Sequence, residues 1–314
     1  MKKIFSSKYM VLVVSFVIML TLLVGCSSGN TNEKTNTNTE SFNGSIIDSS
    51  GETITLTSVP QRIVSLAPNT TEILCALGLE DRIVGRTDYC NYPKSVETIP
   101  SIGGTYNPNI EAIIALEPDL VLSATHVPKE VTYKLRDVGI PVAFLNEEEN
   151  FEGTMSTITN IGILTGTEAE AETVVAEMEM TIDNILREVD ALQKTEKPKV
   201  YYMVGFGEQD FTAGGNTFIS EMIGLAGGQN IAQNIQGWSI SREEILADEP
   251  DMIIMPSDLT TLETLQQTEF YKDLDAVKSG HVYEIDGDMI SRQGPRIADA
   301  LVEMAKIINP ELNN

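Results

Sequence analysis

The sequence predicts an α/β protein of two lobes that are joined by one long helix, with a ligand cleft between the lobes. Three observations lead to this fold class. Short apolar runs alternate with helical patterns in both halves of the chain, which is typical of strands and helices packed in layers. One uninterrupted amphipathic stretch separates the two halves. A segment of the first half is also repeated in the second.

The first 25 residues have the features of a secretory signal peptide. Three lysines precede the apolar run 10–24. At about 15 residues, this run is shorter than the roughly 20 that a membrane-spanning helix needs. A short transmembrane anchor is the alternative. We expect residues 1–25 to be removed on export.

The segment Leu23-Val24-Gly25-Cys26 follows the apolar run directly and resembles the bacterial lipobox. In a lipobox, the cysteine receives a diacylglyceryl thioether and becomes the first residue of the mature chain. Residues 26–43 are then a lipidated Cys26 and a polar tether, which cannot bury enough surface to fold. Its roughly 17 flexible residues would reach about 23 Å. The resemblance implies attachment to the outer face of the cell membrane.

Charge and cysteine content exclude two classes of protein. The formal charge of -25 becomes -28 when residues 1–25, with three lysines and no acid, are removed. Such an acidic surface repels polyanions, so no nucleic-acid partner is expected. Cys75 and Cys90 are too few for a disulfide scaffold. Cys75 lies in an apolar helical stretch and is expected in the core, with a single Cys75–Cys90 disulfide as the alternative.

Residues 44–166 are predicted to form the N-terminal lobe. In this region Thr70 or Thr71 is expected to cap a helix that runs through Leu77, and Gly78 to end it. Four apolar runs predict buried strands. These runs are 62–66, 83–85, 120–122 and 142–145.

Residues 167–197 form the predicted linking segment, most of it one helix over Thr167–Lys194. Apolar residues recur there at steps of three and four, and acidic residues fill most other positions. About 42 Å of helix would serve as a rigid spine along both lobes. A dimeric coiled coil is the alternative, but the stripe spans only about four heptads.

Residues 198–314 are predicted to form the C-terminal lobe, which begins with the strand Lys199–Val204. The segment Asn109–Leu122 is repeated as Ser241–Ile254, and each predicts a helix, a Glu-Pro-Asp turn and a buried strand. A second, shorter repeat relates Thr71–Leu74 to Ser220–Ile223. Two related lobes on a stiff helix enclose a cleft, and ligand sites favour such interfaces.

Several segments, in matching order, resemble the helical-backbone family of periplasmic binding proteins. They are Arg62–Glu72, Asn107–Glu111, both Glu-Pro-Asp turns and Gly294-Pro295-Arg296. The resemblance implies two Rossmann-like lobes with largely parallel sheets. It also implies small closure on binding. The implied partners are the permease dimer and ATPase of an ABC importer for cobalamin, ferric siderophores, haem or transition metals.

Within the family, Asp88-Tyr89-Cys90-Asn91-Tyr92-Pro93 is most similar to the cobalamin-binding branch, and so is Phe211-Thr212-Ala213-Gly214. A corrin needs broad rigid apolar surfaces with polar tips, which tyrosine and tryptophan supply. Packing in a core or loop is the alternative for each ring, and Pro93 favours it for Tyr92. The candidate ligand-binding aromatics are Tyr89, Tyr92, Tyr106, Phe211 and Trp238.

The resemblance assigns two more groups. Asp288, Met289 and Arg292 are expected to border the pocket from a C-terminal loop. Glu111 and Glu243 occupy equivalent positions of the repeat and match the acidic pair that docks onto the permease. Stabilisation of a helix start by its dipole is the alternative role for both carboxylates.

Other functional classes are less compatible with the sequence. His126 and His281 are the only histidines, which is too few for a dedicated metal site. His126 could reach a cobalt or haem iron, or could be a surface loop residue. The sequence holds no nucleophile–base pair or phosphate loop, so we expect no enzyme and no cofactor. A ligand-sensing subunit of a membrane receptor would have the same binding half and stays an alternative.

Overall fold

The computed structural model describes residues 42–313. The predicted signal peptide, Cys26 and the tether up to residue 41 lie outside the described residues. Phe42, which we expected at the end of the tether, is half-buried and packs beside Gly166. Within residues 42–313, no helix is both long and apolar enough to cross a membrane.

The N-terminal half is built around a four-stranded parallel sheet. Its strands in chain order are β1 (Gly44–Ile47), β2 (Thr53–Leu56), β3 (Ile63–Ser65), β4 (Ile83–Arg86), β5 (Gly103–Gly104), β6 (Asn107–Pro108), β7 (Leu120–Ala124) and β8 (Val142–Leu145). β1 pairs with β2, and β5 with β6, as antiparallel hairpins. The other four form the parallel sheet in the order β4-β3-β7-β8. Every residue of β7 is buried, as expected of a central parallel strand.

Four helices accompany this sheet, with 3-10 turns at Glu80–Arg82 and Lys94–Thr98. They are α1 (Pro68–Ala76), α2 (Ile110–Ala115), α3 (Lys129–Asp137) and α4 (Phe151–Thr165). The prediction that Thr70 or Thr71 caps the first helix was wrong, because α1 begins at Pro68. Proline suits this first position, since its fixed φ is helical and it has no N–H to be capped. Gly78 follows the helix with a φ of +72°, as predicted for its end.

The long helix α5 (Glu168–Ala191) joins the two halves and packs along α4. Its 24 residues correspond to about 36 Å. It ends earlier than predicted because Gln193 adopts a left-handed backbone conformation with a φ of 47°. Its buried residues recur every seven positions. They are Ala171, Met178 and Ile185.

The C-terminal half holds a second, largely parallel sheet. Its strands are β9 (Lys199–Gly205), β10 (Asp210–Thr212), β11 (Gln229–Asn230), β12 (Ser239–Ile240), β13 (Met252–Pro256) and β14 (Val282–Ile285). They lie in the order β12-β10-β9-β13-β14, and β11 also pairs with β9. β11, β9, β13 and β14 are mutually parallel, whereas β10 is antiparallel to both of its neighbours. The predicted class of two α/β lobes with largely parallel sheets is confirmed.

The helices of this half are α6 (Phe218–Leu225), α7 (Arg242–Asp248), α8 (Leu262–Gln267), α9 (Asp275–Lys278), α10 (Gly287–Ser291) and α11 (Ile297–Ile308). The 3-10 turns are Tyr271–Asp273 and Pro310–Asn313. α11 packs on α5 and α6. One hydrophobic cluster therefore runs from Ile63 of the first sheet through Ile185 of α5 to Leu301 of α11. This shared core ties both halves to the long helix.

The structure also settles the state of two cysteines. Cys75 and Cys90 are free thiols, so the alternative of a disulfide between them was wrong. Cys90 is buried and accepts a hydrogen bond of 3.0 Å from the Thr71 hydroxyl. Burial, with smaller contributions from nearby acidic charges, raises the pKa of the Cys75 thiol to about 12.

Candidate functional site

Four of the predicted ligand-binding residues lie at or beyond the carboxyl ends of strands of the two sheets. Tyr89 and Tyr92 follow β4, Phe211 lies in the strand after β9, and Asp288 follows β14. Ligands of open α/β sheets bind in the crevice outside the carboxyl ends of the strands. The loops of the two halves meet, because the Asn91 side-chain amide donates to Asp288 Oδ2 at 3.2 Å.

All five candidate aromatic rings are solvent-exposed, from 40% for Phe211 to 65% for Tyr106. The alternative that they are core residues is therefore wrong. Tyr92 is both exposed and packed, since it is 45% exposed while its ring centre lies 3.8 Å from the Arg296 guanidinium. Large apolar surfaces left open at a sheet edge are available to a flat ligand.

On the N-terminal side, Tyr106 lies in the turn between β5 and β6. Its ring centroid is 5.6 Å from that of His126, at an interplanar angle of 46°. His126 is exposed in the loop after β7. Tyr89 lies beside the same turn, because a Cβ on Gly104 would approach its ring to 3.7 Å. Tyr89, Tyr106 and His126 thus border one surface.

On the C-terminal side, strand pairing brings Phe211 and Trp238 together. Phe211 is the register partner of Ser239, and the Thr212 amide donates to the Trp238 carbonyl at 2.9 Å. Extending the internal repeat back by three residues makes Trp238 the equivalent of Tyr106. Each lobe therefore presents one exposed ring five residues before its predicted docking glutamate.

Asp210 supports this side and was missed by sequence reasoning. Its buried carboxylate accepts from Arg242 Nε at 3.0 Å and from the Tyr271 hydroxyl at 2.6 Å. Burial, together with the neighbouring Tyr201 and Asp210, raises the pKa of Tyr271. The tyrosine therefore stays a neutral donor. An acid directly before an exposed aromatic was the available signal.

A group of charged residues joins the two halves beside Tyr89 and Tyr92. Arg292 Nη1 and Arg296 Nη2 both donate to Glu72 Oε1, at 3.0 and 2.7 Å. Burial acts to lower the pKa of Arg296, but the hydrogen bond and charge of Glu72 outweigh it and raise the pKa. Arg292 also forms an ion pair of 2.7 Å with Asp288. Met289 is half-buried against the main core.

Glu111 and Glu243 are exposed in the first turns of α2 and α7. Neither is the N-cap, because the side chains of Asn109 and Ser241 accept the hydrogen bonds from the backbone amides of the first turn. Their carboxylates are thus open to solvent at equivalent places on the two halves.

Two surface cavities lie away from these residues. One, of about 630 Å³, lies against α11 and includes Tyr283 and Lys306 in its lining. The other, of about 830 Å³, lies beyond the end of α5 and includes Lys197 and Asp251. None of the predicted ligand-binding residues lines either cavity. The described part of the chain also holds no group of three or more side chains suited to a metal ion.

Comparison with known proteins identifies the family. A family model described as "Periplasmic binding protein" matches residues 63–289. YvrC of Bacillus subtilis, an uncharacterised ABC transporter substrate-binding lipoprotein, is 31% identical over 303 residues, which is 95% of this chain and 96% of the relative. A cobalamin-binding protein of Halobacterium salinarum is 32% identical over 271 residues, 82% of this chain and 72% of the relative.

A solved structure gives the same result. The periplasmic heme-binding protein RhuT of Roseiflexus sp. RS-1, in its apo form, superimposes with a TM-score of 0.73 at 26% identity. The match covers 80% of this chain and 98% of RhuT. The chain belongs to the family of periplasmic binding proteins: it is an extracytoplasmic substrate-binding protein of an ABC transporter, and not an enzyme.

Proposed function

We propose that the protein captures cobalamin or a related corrinoid and delivers it to the permease dimer of an ABC importer. The observation that carries this proposal is the set of five exposed rings, three on the N-terminal half and two on the C-terminal half. A corrin is large, nearly flat and apolar on its faces, and rigid aromatic side chains offer such a ligand contact area at low entropic cost. The cobalamin-binding relative supports the same ligand class. The corrinoid is cargo rather than a cofactor.

Fluorescence titration tests the ligand. The protein is prepared without residues 1–26, so that Phe42 keeps its packing on the core. We expect cyanocobalamin to quench Trp238, the single tryptophan, with a submicromolar dissociation constant. No fluorescence change and no heat with cyanocobalamin, together with tight binding of ferrichrome, would overturn the proposal.

Haem is the second candidate ligand, because the His126 imidazole lies against Tyr106 on the same surface. The heme-binding relative RhuT supports it. In this case His126 would reach the iron, and replacing it with alanine should abolish the shift of the Soret band when haemin is added. A corrinoid binder should give submicromolar cyanocobalamin binding in both the wild type and His126→Ala.

We also propose that a lipid on Cys26 anchors the protein to the outer face of the cell membrane. The lipobox-like sequence supports this, and a tether would raise the local concentration of the binder at its permease. Expressed as the full chain, wild type should fractionate with membranes and Cys26→Ser should not. Cys75→Ser is the matched control and should stay with the membranes. Membrane retention of Cys26→Ser would contradict the anchor.

A further inference from the structure

The two halves of the molecule are joined at the site by one buried carboxylate. Glu72 lies in α1 of the N-terminal half, with 4% of its surface exposed. Its partners, Arg292 and Arg296, come from the C-terminal half, more than 200 positions along the chain. We call Glu72, Asn91, Asp288, Arg292 and Arg296 the interlobe cluster.

Both oxygens of Glu72 are used in this cluster. Arg296 Nε donates to Oε2 at 2.8 Å while Arg296 Nη2 donates to Oε1 at 2.7 Å, which is a bidentate pair. Arg292 Nη1 adds a third bond to Oε1 at 3.0 Å. Bidentate guanidinium–carboxylate pairs combine strength with a fixed orientation. The single carboxylate therefore sets the positions of two guanidinium groups.

Those two guanidinium groups hold the segment that carries Tyr89 and Tyr92. Arg292 donates to Asn91 Oδ1 at 2.7 Å and to the Tyr89 carbonyl at 3.2 Å. The Arg296 guanidinium lies 3.8 Å from the centre of the Tyr92 ring, within the range of a cation–π contact. Residues 89–92 belong to the N-terminal half, yet they rest on arginines of the other half.

Arg292 has few donors left for a ligand. Its terminal nitrogens already bond Glu72, Asn91, the Tyr89 carbonyl and Asp288. Only 10% of its side chain is exposed. Its geometry is that of a support for the binding surface rather than that of a free anion-binding arm.

We infer that Glu72 is a positioning residue, which holds Arg292 and Arg296 so that residues 89–92 face the ligand and the width of the cleft is fixed. Rigid placement of a binding surface before the ligand arrives raises affinity by reducing the ordering cost of binding. The ligand part of this inference rests on the proposed function, whereas the cleft width is a property of the protein alone.

The internal repeat indicates that this carboxylate is not simply required by the fold. Glu221 is the equivalent of Glu72 in the shorter repeat, which relates Thr71–Leu74 to Ser220–Ile223, and it is exposed in α6. Partial burial and the nearby charge of Glu152 raise the pKa of Glu221. The same position thus tolerates an acid without an arginine pair when it does not join the halves.

The test compares Glu72→Gln with Asp48→Asn, in protein that lacks residues 1–26. Asp48 is also buried and paired with an arginine, Arg136, but within one half. Nitroxide labels on Tyr133→Cys and Leu246→Cys, two exposed helical positions of different halves, report the interlobe distance. Cys75 and Cys90 are half-buried and buried thiols, so the introduced cysteines take the label.

We expect Glu72→Gln to broaden the distance distribution about twofold and to weaken cyanocobalamin binding about tenfold, because its amide N–H groups would oppose the arginine donors. Asp48→Asn should leave both readings as in the wild type. A folded Glu72→Gln protein with unchanged distance width and affinity would overturn the inference. If wild type does not bind cyanocobalamin, the proposed ligand fails, and the distance width alone decides the role of Glu72.

Arg296→Lys gives a second test if Glu72→Gln does not fold. It keeps the charge but removes the bidentate geometry and the contact with Tyr92. The distance distribution should broaden in the same direction. A distribution as narrow as that of the wild type contradicts the inference.

Discussion

The repeated segments 106–122 and 238–254 can be compared position by position. In each, a side chain caps the start of a short helix. A glutamate after the last turn has a left-handed backbone conformation, Glu117 with a φ of 46° and Glu249 with a φ of 47°. The aspartate two residues later then accepts a hydrogen bond from a backbone N–H at the start of the neighbouring strand. Asp119 accepts from Arg62 N at 2.9 Å and Asp251 from Lys199 N at 2.7 Å.

The side chains of the same two residues, Arg62 and Lys199, are both cationic and also make equivalent contacts. Arg62 Nη2 donates to the Leu116 carbonyl at 2.6 Å, and Lys199 Nζ donates to the Asp248 carbonyl at 2.7 Å. A positive group therefore satisfies a carbonyl at the C-terminal end of each helix, where the dipole favours it. The C-terminal ends of α2 and α7 are therefore stabilised in the same way.

The other end differs. The first helical residue is Ile110 in α2, which packs on an apolar cluster of the N-terminal half. In α7 it is Arg242, which pairs with the buried Asp210 and donates to the Gly207 carbonyl at 2.7 Å. The start of α2, the predicted docking helix of the N-terminal half, is thus held by apolar packing. The start of α7, the predicted docking helix of the C-terminal half, is held by an ion pair. Through Asp210, Arg242 therefore connects α7 to β10, the strand that carries Phe211.

The largest expected effect tests whether the two halves dock as equals. Reversing both Glu111 and Glu243 to lysine should reduce uptake of cyanocobalamin to background, because both charges facing the permease change sign. Each single reversal should lower uptake by about tenfold. The dissociation constant for cyanocobalamin should stay at the wild-type value.

The matched control for docking is the double reversal of Glu130 and Glu263. These are also exposed glutamates in first helical turns, of α3 and α8. Uptake should be unaffected by this change. Transport that survives reversal of Glu111 and Glu243 would refute the docking assignment, and a loss with the control pair would reduce it to an effect of net charge.

The next prediction concerns the equivalent rings Tyr106 and Trp238. Replacing Trp238 with alanine should weaken cyanocobalamin binding by about thirtyfold, measured calorimetrically, because a large rigid contact surface is lost. Tyr106→Ala should cost less, about tenfold, since the ring is smaller. Tyr106→Phe is the control that keeps the ring. Equal affinity of Trp238→Ala and wild type would remove this ring from the site.

The continuous apolar runs allowed much of the fold to be predicted. The strand Val142–Leu145 was predicted with the bounds of β8, because a strand buried on both faces has an unbroken apolar run. The two-residue strands were not predicted. β6, β11 and β12 contain polar residues such as Asn107, Gln229 and Ser239, which give no periodicity over so short a length.

The exposed rings of the site could be predicted from the sequence, but their supports could not. Tyr89, Tyr106 and Trp238 stand out as large aromatics in polar loops. Glu72 and Arg292 lie 220 positions apart and meet only through the packing of two lobes. No local pattern encodes such a pair.

A smaller effect, on stability, tests the difference at the first helical residue. Arg242→Met should lower the free energy of unfolding by more than the equivalent change in α2, because it leaves the buried Asp210 with fewer partners. Tyr271 still donates to Asp210, which limits the loss. Ile110→Met, which introduces the same residue at the equivalent position, should cost less than about 1.5 kcal/mol. Urea unfolding followed by circular dichroism measures both, and equal losses would contradict the distinction.

The smallest effect concerns acid and the two helix caps. Hydrogen bonds from the backbone and side chain of Ser241 lower the pKa of Glu244, so its contribution to stability is present above its usual pKa and is lost as pH falls through the lowered one. Asn109, the cap of α2, has no titratable group. Below about pH 4, amide hydrogen exchange should therefore rise in the first turn of α7 more than in that of α2, after correction for intrinsic rates. Glu244→Gln should remove the difference in pH dependence. Parallel pH profiles of the two helices in the wild type would show that the capping box of α7 makes no measurable contribution.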